Sequence, residues 1–232
     1  MNIIDPSFEE RQKANPEKDY KEFFFHISHM NQSGALFDLV KLSFVSKEWL
    51  AKLDKPTFVE RCIERAHKYN PELHEIMLKH TDYTFSALNI ERCTELDPKR
   101  FHKLSDIAEQ LPMFYDENYE AHYSEKPAYP ENMTPDIIHA FVDKYCAEMN
   151  LALDKTTRFE QLKEIGKNMP EGMRFAPSGA EFKEGGYIGK TGDLAMFLRI
   201  QLLLSKTTPD LCETMKVMGK ERVAARLRKA VA

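Results

Sequence analysis

The sequence predicts an all-α protein. Composition is the first observation: only nine glycines in 232 residues stand against 30% charged residues, a balance that leans towards helices. The second is periodicity, because apolar residues recur at the helical spacing along most of the chain. The third is the scarcity of strand signals. Lys21 to Ile27 is the one candidate extended segment, and no alternating runs with hairpin turns follow it.

The helices are justified in order. Phe58, Cys62, Ile63, Ala66 and Tyr69 share one face, and Asn70-Pro71 stops that run. Leu73, Ile76, Met77 and His80 form the next. Leu104, Ile107, Ala108 and Leu111 follow, with Ser105 or Asp106 near the start and Pro112 as a kink. The clearest helix runs from about Thr134 to Met149. Thr134 caps it, Pro135 suits the first helical position, and Ile137, Ile138, Phe141, Val142 and Tyr145 make its apolar stripe. Thr157-Arg158-Phe159-Glu160 reads as a capping box opening a short helix that Gly166 closes. Leu194, Phe197, Ile200, Leu203 and Leu204 mark a buried helix. Thr208-Pro209 starts the next, with Thr208 as its cap, and Gly219 ends it. Val223, Leu227 and Val231 carry the last.

Proline, glycine and acidic residues cluster at Tyr119–Thr134, the best linker between two helical modules. Met169–Tyr187, with four glycines and two prolines, reads as a surface loop. No fixed-period repeat or low-complexity region is visible.

The bulk numbers exclude several classes. A hydrophobic content of 42% supports one substantial core or two small ones. No stretch approaches the roughly 20 apolar residues that span a bilayer. Asn2, Asp5, Glu9 and Glu10 are unlike a signal peptide. Cys62, Cys93, Cys146 and Cys212 are far apart without a C-x-x-C, so a reducing cytoplasm is expected. The net charge of −4 leaves room for RNA binding through a local basic patch.

Catalytic signatures fail one by one. His26-Ile27-Ser28-His29 is similar to the H-I-G-H string of class I aminoacyl-tRNA ligases, but Ser28 replaces the glycine and no strand–loop–helix unit surrounds it. Gly189-Lys190-Thr191 is similar to the tail of a phosphate-binding loop. Glu184 stands where its first glycine belongs, and a carboxylate there repels phosphate, so a turn into the Leu194 helix is expected. His67, His74 and His80 lack the spacing of metal ligands. No nucleophile–base pair carries a local signature. No catalytic, metal or cofactor site is expected.

One string points further. Ser33-Gly34-Ala35-Leu36-Phe37-Asp38, leading to Lys41-Leu42, resembles the element that follows the catalytic fold in bacterial glutamate–tRNA ligases (class I glutamyl-tRNA synthetases). Three more resemblances follow in the family's order. They are Leu88–Arg92 with Arg100–Ile107, then Arg158–Ile165, then Gly192 through Leu211 to the Met218-Gly219-Lys220-Glu221-Arg222-Val223 ending. The resemblance covers nearly the whole chain. It implies a two-part helical cage that binds the anticodon, preceded by a short stem-contact segment. The implied division is 1–55 for the stem-contact connector, 56–130 for one helical subdomain and 131–232 for the second. The chain then begins after the family's K-M-S-K-S-like loop, and is inactive alone. It needs no cofactor of its own, while ATP and magnesium serve the intact enzyme. The implied partners are tRNA for glutamate and the catalytic domain, with no membrane or DNA, for a cytoplasmic monomer.

The resemblance also implies residue roles. Arg199, Thr208, Pro209 and Leu211 take positions that contact the first and second anticodon bases, and Arg100 the position that reads the third, with Lys99 adjacent. The chemistry is coherent, since splayed loop bases are read on their pairing edges by donor forks such as arginine. A solvated Arg100, and a Leu211 that merely packs, are the plainer alternatives. The C-terminal Lys216, Lys220, Arg222, Arg226, Arg228 and Lys229 form either an electropositive face or an ordinary solvated helix with Arg222 and Arg226 facing out. Phe23, Phe24 and Phe25 either stack on RNA or anchor a core. Two other functional readings stand beside this one: the helical anticodon domain of a class I lysine–tRNA ligase, and a helical protein-interaction module without an RNA role.

Overall fold

A computed structural model describes residues 38–94 and 100–232, with Glu10 and Lys13 as isolated positions before them. The expectations placed on Lys21–Ile27, Phe23–Phe25, His26, His29, Ser33–Phe37 and Lys99 lie outside the described residues. The chain divides into two compact units, 1–44 and 45–232. In the first, Asp38 Oδ1 accepts the N–H groups of Val40 and Lys41 and so opens helix α1 (Leu39–Lys52).

The second unit is all-α among the described residues apart from one two-residue strand pair. Asp54 caps α2 (Lys55–Tyr69) by accepting the Thr57 N–H at 2.9 Å. Asn70 ends α2 and caps α3 (Pro71–Lys79), accepting from Leu73 N–H, as the Asn70-Pro71 stop requires. Each such cap is worth about 1 kcal/mol. Helix α4 (Thr81–Leu88) follows. The 104–114 stretch splits into two 3-10 turns around the single α-turn α5 (Ile107–Gln110), because Pro112 interrupts the ladder. Asp106, one of the two expected starters, accepts the N–H groups of His102 and Lys103. Phe58, Cys62, Met77, Leu88, Phe101 and Phe114 pack the core here, with Phe58 and Phe101 rings 5.1 Å apart.

Helix α6 (Asp116–His122) leads into the proline-rich stretch, which is packed down by its tyrosines. The Tyr119 hydroxyl donates to Gln201 O at 2.7 Å, Tyr123 to Lys229 O, and Tyr129 to Gln201 Oε1. Helix α7 (Pro135–Glu148) starts after Thr134 and ends before Met149, where the sequence puts it, although the Thr134 side chain makes no capping bond.

Helix α8 (Lys155–Lys167) corrects two expectations. Asp154 caps it, with Thr157 on the third helical residue donating to that carboxylate, so Thr157 opens no capping box. Gly166 does not close it. It lies inside the helix where a Cβ would stand 2.8 Å from Leu194 Cδ1, so the glycine serves close packing. The 169–187 stretch is likewise no simple surface loop. It holds the fully buried strand β1 (Phe175–Ala176) and helix α9 (Gly179–Glu184) before β2 (Gly189–Lys190), which pairs with β1 in parallel. The phosphate-loop-like string is absorbed here. Asp193 accepts the Lys190 N–H, Thr191 donates to Ala176 O, and a Cβ on Gly189 would meet the Asn132 amide.

Helix α10 (Thr191–Leu203) is the most buried, and Leu204 follows it in the left-handed region instead of extending it. Helix α11 (Leu211–Arg228) is two helices joined at Gly219, whose φ of 78° breaks the ladder as the sequence indicates.

Candidate nucleic-acid interface

Three stretches of chain converge on a cleft of about 650 Å³. The turn after α4 contributes Glu91, the 100–113 segment contributes Arg100, Glu109 and Gln110, and the α10–α11 connection contributes Thr208 and Pro209. Two residues other than glycine hold left-handed backbone at its walls, Glu91 at φ 61° and Leu204 at φ 52°. Each such conformation costs roughly 1–2 kcal/mol, which the surrounding structure must impose. Part of the restraint is visible: Glu91 Oε2 accepts the Asp210 N–H at 2.9 Å and joins the turn to the start of α11.

Arg100 is the chemically unusual group. Its Nε donates to Gln110 Oε1 at 2.7 Å and its Nη1 to Ala87 O at 3.0 Å. Its Nη2 is buried with no partner. Burial pushes the guanidinium down to about 10, against the pull of Glu91. It is therefore still a cation at neutral pH, with two N–H groups desolvated and unused. A buried unpaired donor of this kind costs about 1–3 kcal/mol or more, and an acceptor entering the cleft would remove that cost.

Arg199 lines a smaller neighbouring cleft of about 270 Å³ with Leu211, Phe159 and Arg158. Its Nη1 donates to Thr208 O at 3.2 Å, to Pro209 O at 3.1 Å and to Thr208 Oγ1. That fan of bonds ties the two clefts together. Thus Arg100, Thr208 and Pro209 share one cleft, Arg199 and Leu211 the other, and Leu211 is largely buried at 8% exposure.

Thr208 is not the cap of α11. Asp210 is, accepting the Glu213 N–H at 3.0 Å and pairing with Lys155 at 2.6 Å. Thr208 is instead held by Arg199. The basic C-terminal segment is also not a row of outward charges. Arg226 is 3% exposed and donates to three carbonyl oxygens and to Asp116, while Arg222 pairs with Asp116 and Lys229 with Glu120. Lys216, Lys220 and Arg228 are the exposed cations of that stretch.

Sequence reasoning missed Glu91, Asp210 and Gln201. Asp210 had a signal, an N-cap residue directly before the apolar Leu211. Gln201 had one too, a lone amide inside an apolar run, and it proves to be a fully buried hub receiving Tyr119 and Tyr129. Glu91 had none, since its role depends on a backbone conformation.

The comparisons with known proteins meet this geometry. Residues 183–231, from α9 through α11, match the anticodon binding domain family. These C-terminal helices are therefore similar to those of a helical anticodon-binding domain. Over nearly its whole length the chain is similar to glutamate–tRNA ligases: it is 30% identical over 229 residues, 99% of its length, to the glutamate–tRNA ligase of Acetivibrio thermocellus, and 29% identical over 234 residues to that of Clostridium perfringens. It spans about two fifths of the length of these curated relatives, 41% and 42%. The fold matches a glutamate–tRNA ligase from Elizabethkingia meningosepticum at a TM-score of 0.52 with 16% identity, over 89% of this chain and 35% of the other.

Proposed function

We propose that this chain binds tRNA for glutamate by its anticodon loop and so presents that tRNA to the catalytic portion of a glutamate–tRNA ligase. The cleft observation that carries the reading is Arg100 itself, which lines the same cleft as Thr208 and Pro209 and keeps a buried, unpartnered Nη2. In this reading Arg100 donates to the third anticodon base, with Lys99 beside it. Arg199, Thr208, Pro209 and Leu211 hold the first and second bases. Arginine suits the task because its fork addresses acceptors on a base edge.

The same reading divides the chain into a connector at 1–55 and helical subdomains at 56–130 and 131–232. Support comes from α2, α3 and α4 packing together and from α7, α8, α10 and α11 doing so, with α4 also packed on α11. ATP, magnesium and glutamate belong to the catalytic portion of the intact ligase. A monomer acting in the cytoplasm fits the reading. No helix among the described residues is long and apolar enough to cross a membrane.

The test is equilibrium binding of the full chain to transcribed tRNA for glutamate and to an anticodon-changed control, across salt concentrations. A preference for the glutamate anticodon that Arg100→Ala or Arg199→Ala removes is the expected result. Equal weak binding to both transcripts would sink anticodon reading.

A further inference from the structure

We propose that a second RNA-contact site, outside the anticodon clefts, lies in the groove formed by Trp49, Tyr69, Arg65 and Lys103. It accepts one nucleotide of the bound tRNA, with the base on the aromatic rings and the phosphate on the cations. The proposal rests on the reading that the chain binds tRNA.

The groove has a volume of about 430 Å³ and no carboxylate lines it. Its aromatic walls are unusually bare, with Trp49 at 52% exposure and Tyr69 at 61%. Exposed rings of this size cost hydrophobic free energy that a stacked base would recover. Between them stands Arg65, its guanidinium 3.5 Å from the Tyr69 ring centroid. The arginine is held by that stacking alone. It has no ion pair or hydrogen bond among the described residues, and its Nη1 is buried and unpartnered. In α11, by contrast, Arg222 and Arg226 both pair with the Asp116 carboxylate. Arg65 is thus a pre-oriented cation lacking an anion.

Lys103 supplies the second charge. Its side chain is 70% exposed and lies 4.0 Å from Asp106, whose other oxygen is already engaged by two backbone N–H groups. Ser46 and Ser105 add hydroxyls to the rim. Two cations, two bare rings and hydroxyls without a carboxylate fit a nucleotide, and charge complementarity selects an RNA over an acidic-faced or apolar protein partner. The geometry also connects the two sites along one segment. Arg100 faces the anticodon cleft, and Lys103 and Ser105, three and five residues on, face this groove.

Trp49 is the sole tryptophan of the chain, so selectively excited tryptophan fluorescence reports on this groove. The full chain is titrated with transcribed tRNA for glutamate and with the anticodon-changed transcript, and binding is followed in parallel by polarisation of labelled RNA. Both transcripts should quench Trp49. Arg65→Ala with Lys103→Ala should weaken both about tenfold and lower the salt slope by about 1–2. Lys103→Ala alone, at an exposed position that cannot unfold the chain, should weaken both several-fold. Arg100→Ala should leave the quench at saturation intact. Polarisation showing binding while Trp49 stays silent and the variants bind like the parent would overturn the groove and leave anticodon reading standing. A Trp49 response to the added catalytic portion of the ligase, and to neither RNA, would make the groove a protein interface. No binding of either transcript would overturn the groove and tRNA recognition together.

Discussion

Arg226 is a buried arginine and Arg100 a half-buried one, and their surroundings differ in kind. Arg226 places both Nη atoms on partners: Met113 O, Leu202 O, Phe114 O and the Asp116 carboxylate, with its guanidinium 3.8 Å over the Tyr119 ring. Arg100 has two neutral acceptors, no ion pair among the described residues and one nitrogen left over. The first arrangement leaves only its Nε unpartnered and has its charge paired with a carboxylate, so it chiefly stabilises the fold. The second is open, so it stabilises little and stores binding capacity. Burial of a cation, even with a donor unspent, therefore does not mark a site; an unspent donor without a paired carboxylate, at the wall of a cleft, does.

The comparison breaks first at Arg226. Replacing it by methionine keeps the volume but strands three carbonyl oxygens and removes the partner of Asp116. The expected loss is about 3 kcal/mol or more of unfolding free energy, read from the urea midpoint. A loss under about 1 kcal/mol would show that the network is decorative. For Arg100→Ala the balance reverses. Stability should move by about 1 kcal/mol or less, because the parent already bears an unpaired donor. Affinity for tRNA of the matching anticodon should fall about 10- to 100-fold, the range for one bidentate base contact. Equal stability losses at the two positions would erase the distinction.

That distinction also explains what could be read in advance. The helices at 58–69, 134–149 and 194–203 were legible because their apolar spacing and proline or asparagine boundaries are local properties. The caps at 154 and 210 were misassigned to neighbouring threonines, since Asp and Thr both cap and only geometry decides which carboxylate or hydroxyl faces the free N–H groups. The C-terminal arginines looked like a surface because charged residues usually are one. Arg226 is inside because carbonyls of two distant stretches, Met113–Phe114 and Leu202, and a carboxylate 110 positions earlier meet there, which no local pattern encodes. The candidate site was legible as residues by family resemblance. Its division into two clefts, and the part of Glu91, were not.

Acid should distinguish the two regions again. Burial raises the Asp116 carboxyl, but hydrogen bonds and charge from Arg226 and Arg222 outweigh it and hold the group below its ordinary 3.8. Its folded value is depressed, so its stabilisation is present above pH 3.8 and is lost as pH falls below it. Urea midpoints of the parent and of Asp116→Asn should therefore differ at pH 5 and converge towards pH 3. Arg100 feels the pull of Glu91 but has no carboxylate bonded to it, and Arg100→Ala should keep a nearly constant offset from the parent over the same range. An offset that shrank with acid would mean that a carboxylate does hold Arg100.

The smallest effect tests whether the open arrangement is pre-organised. Gln110 accepts from Arg100 Nε at 2.7 Å and lines the same cleft. Removing it by Gln110→Ala takes away one neutral hydrogen bond, worth about 1 kcal/mol, and frees the guanidinium to turn. If Gln110 only fills space, tRNA affinity should not change. If it fixes the direction of Nη2, affinity for the matching anticodon should drop several-fold while the anticodon-changed transcript binds as before. Non-specific phosphate contacts do not depend on where one fork points, whereas base reading does. An equal drop for both transcripts would instead make Arg100 a phosphate contact, and the cleft would then position the RNA without reading it.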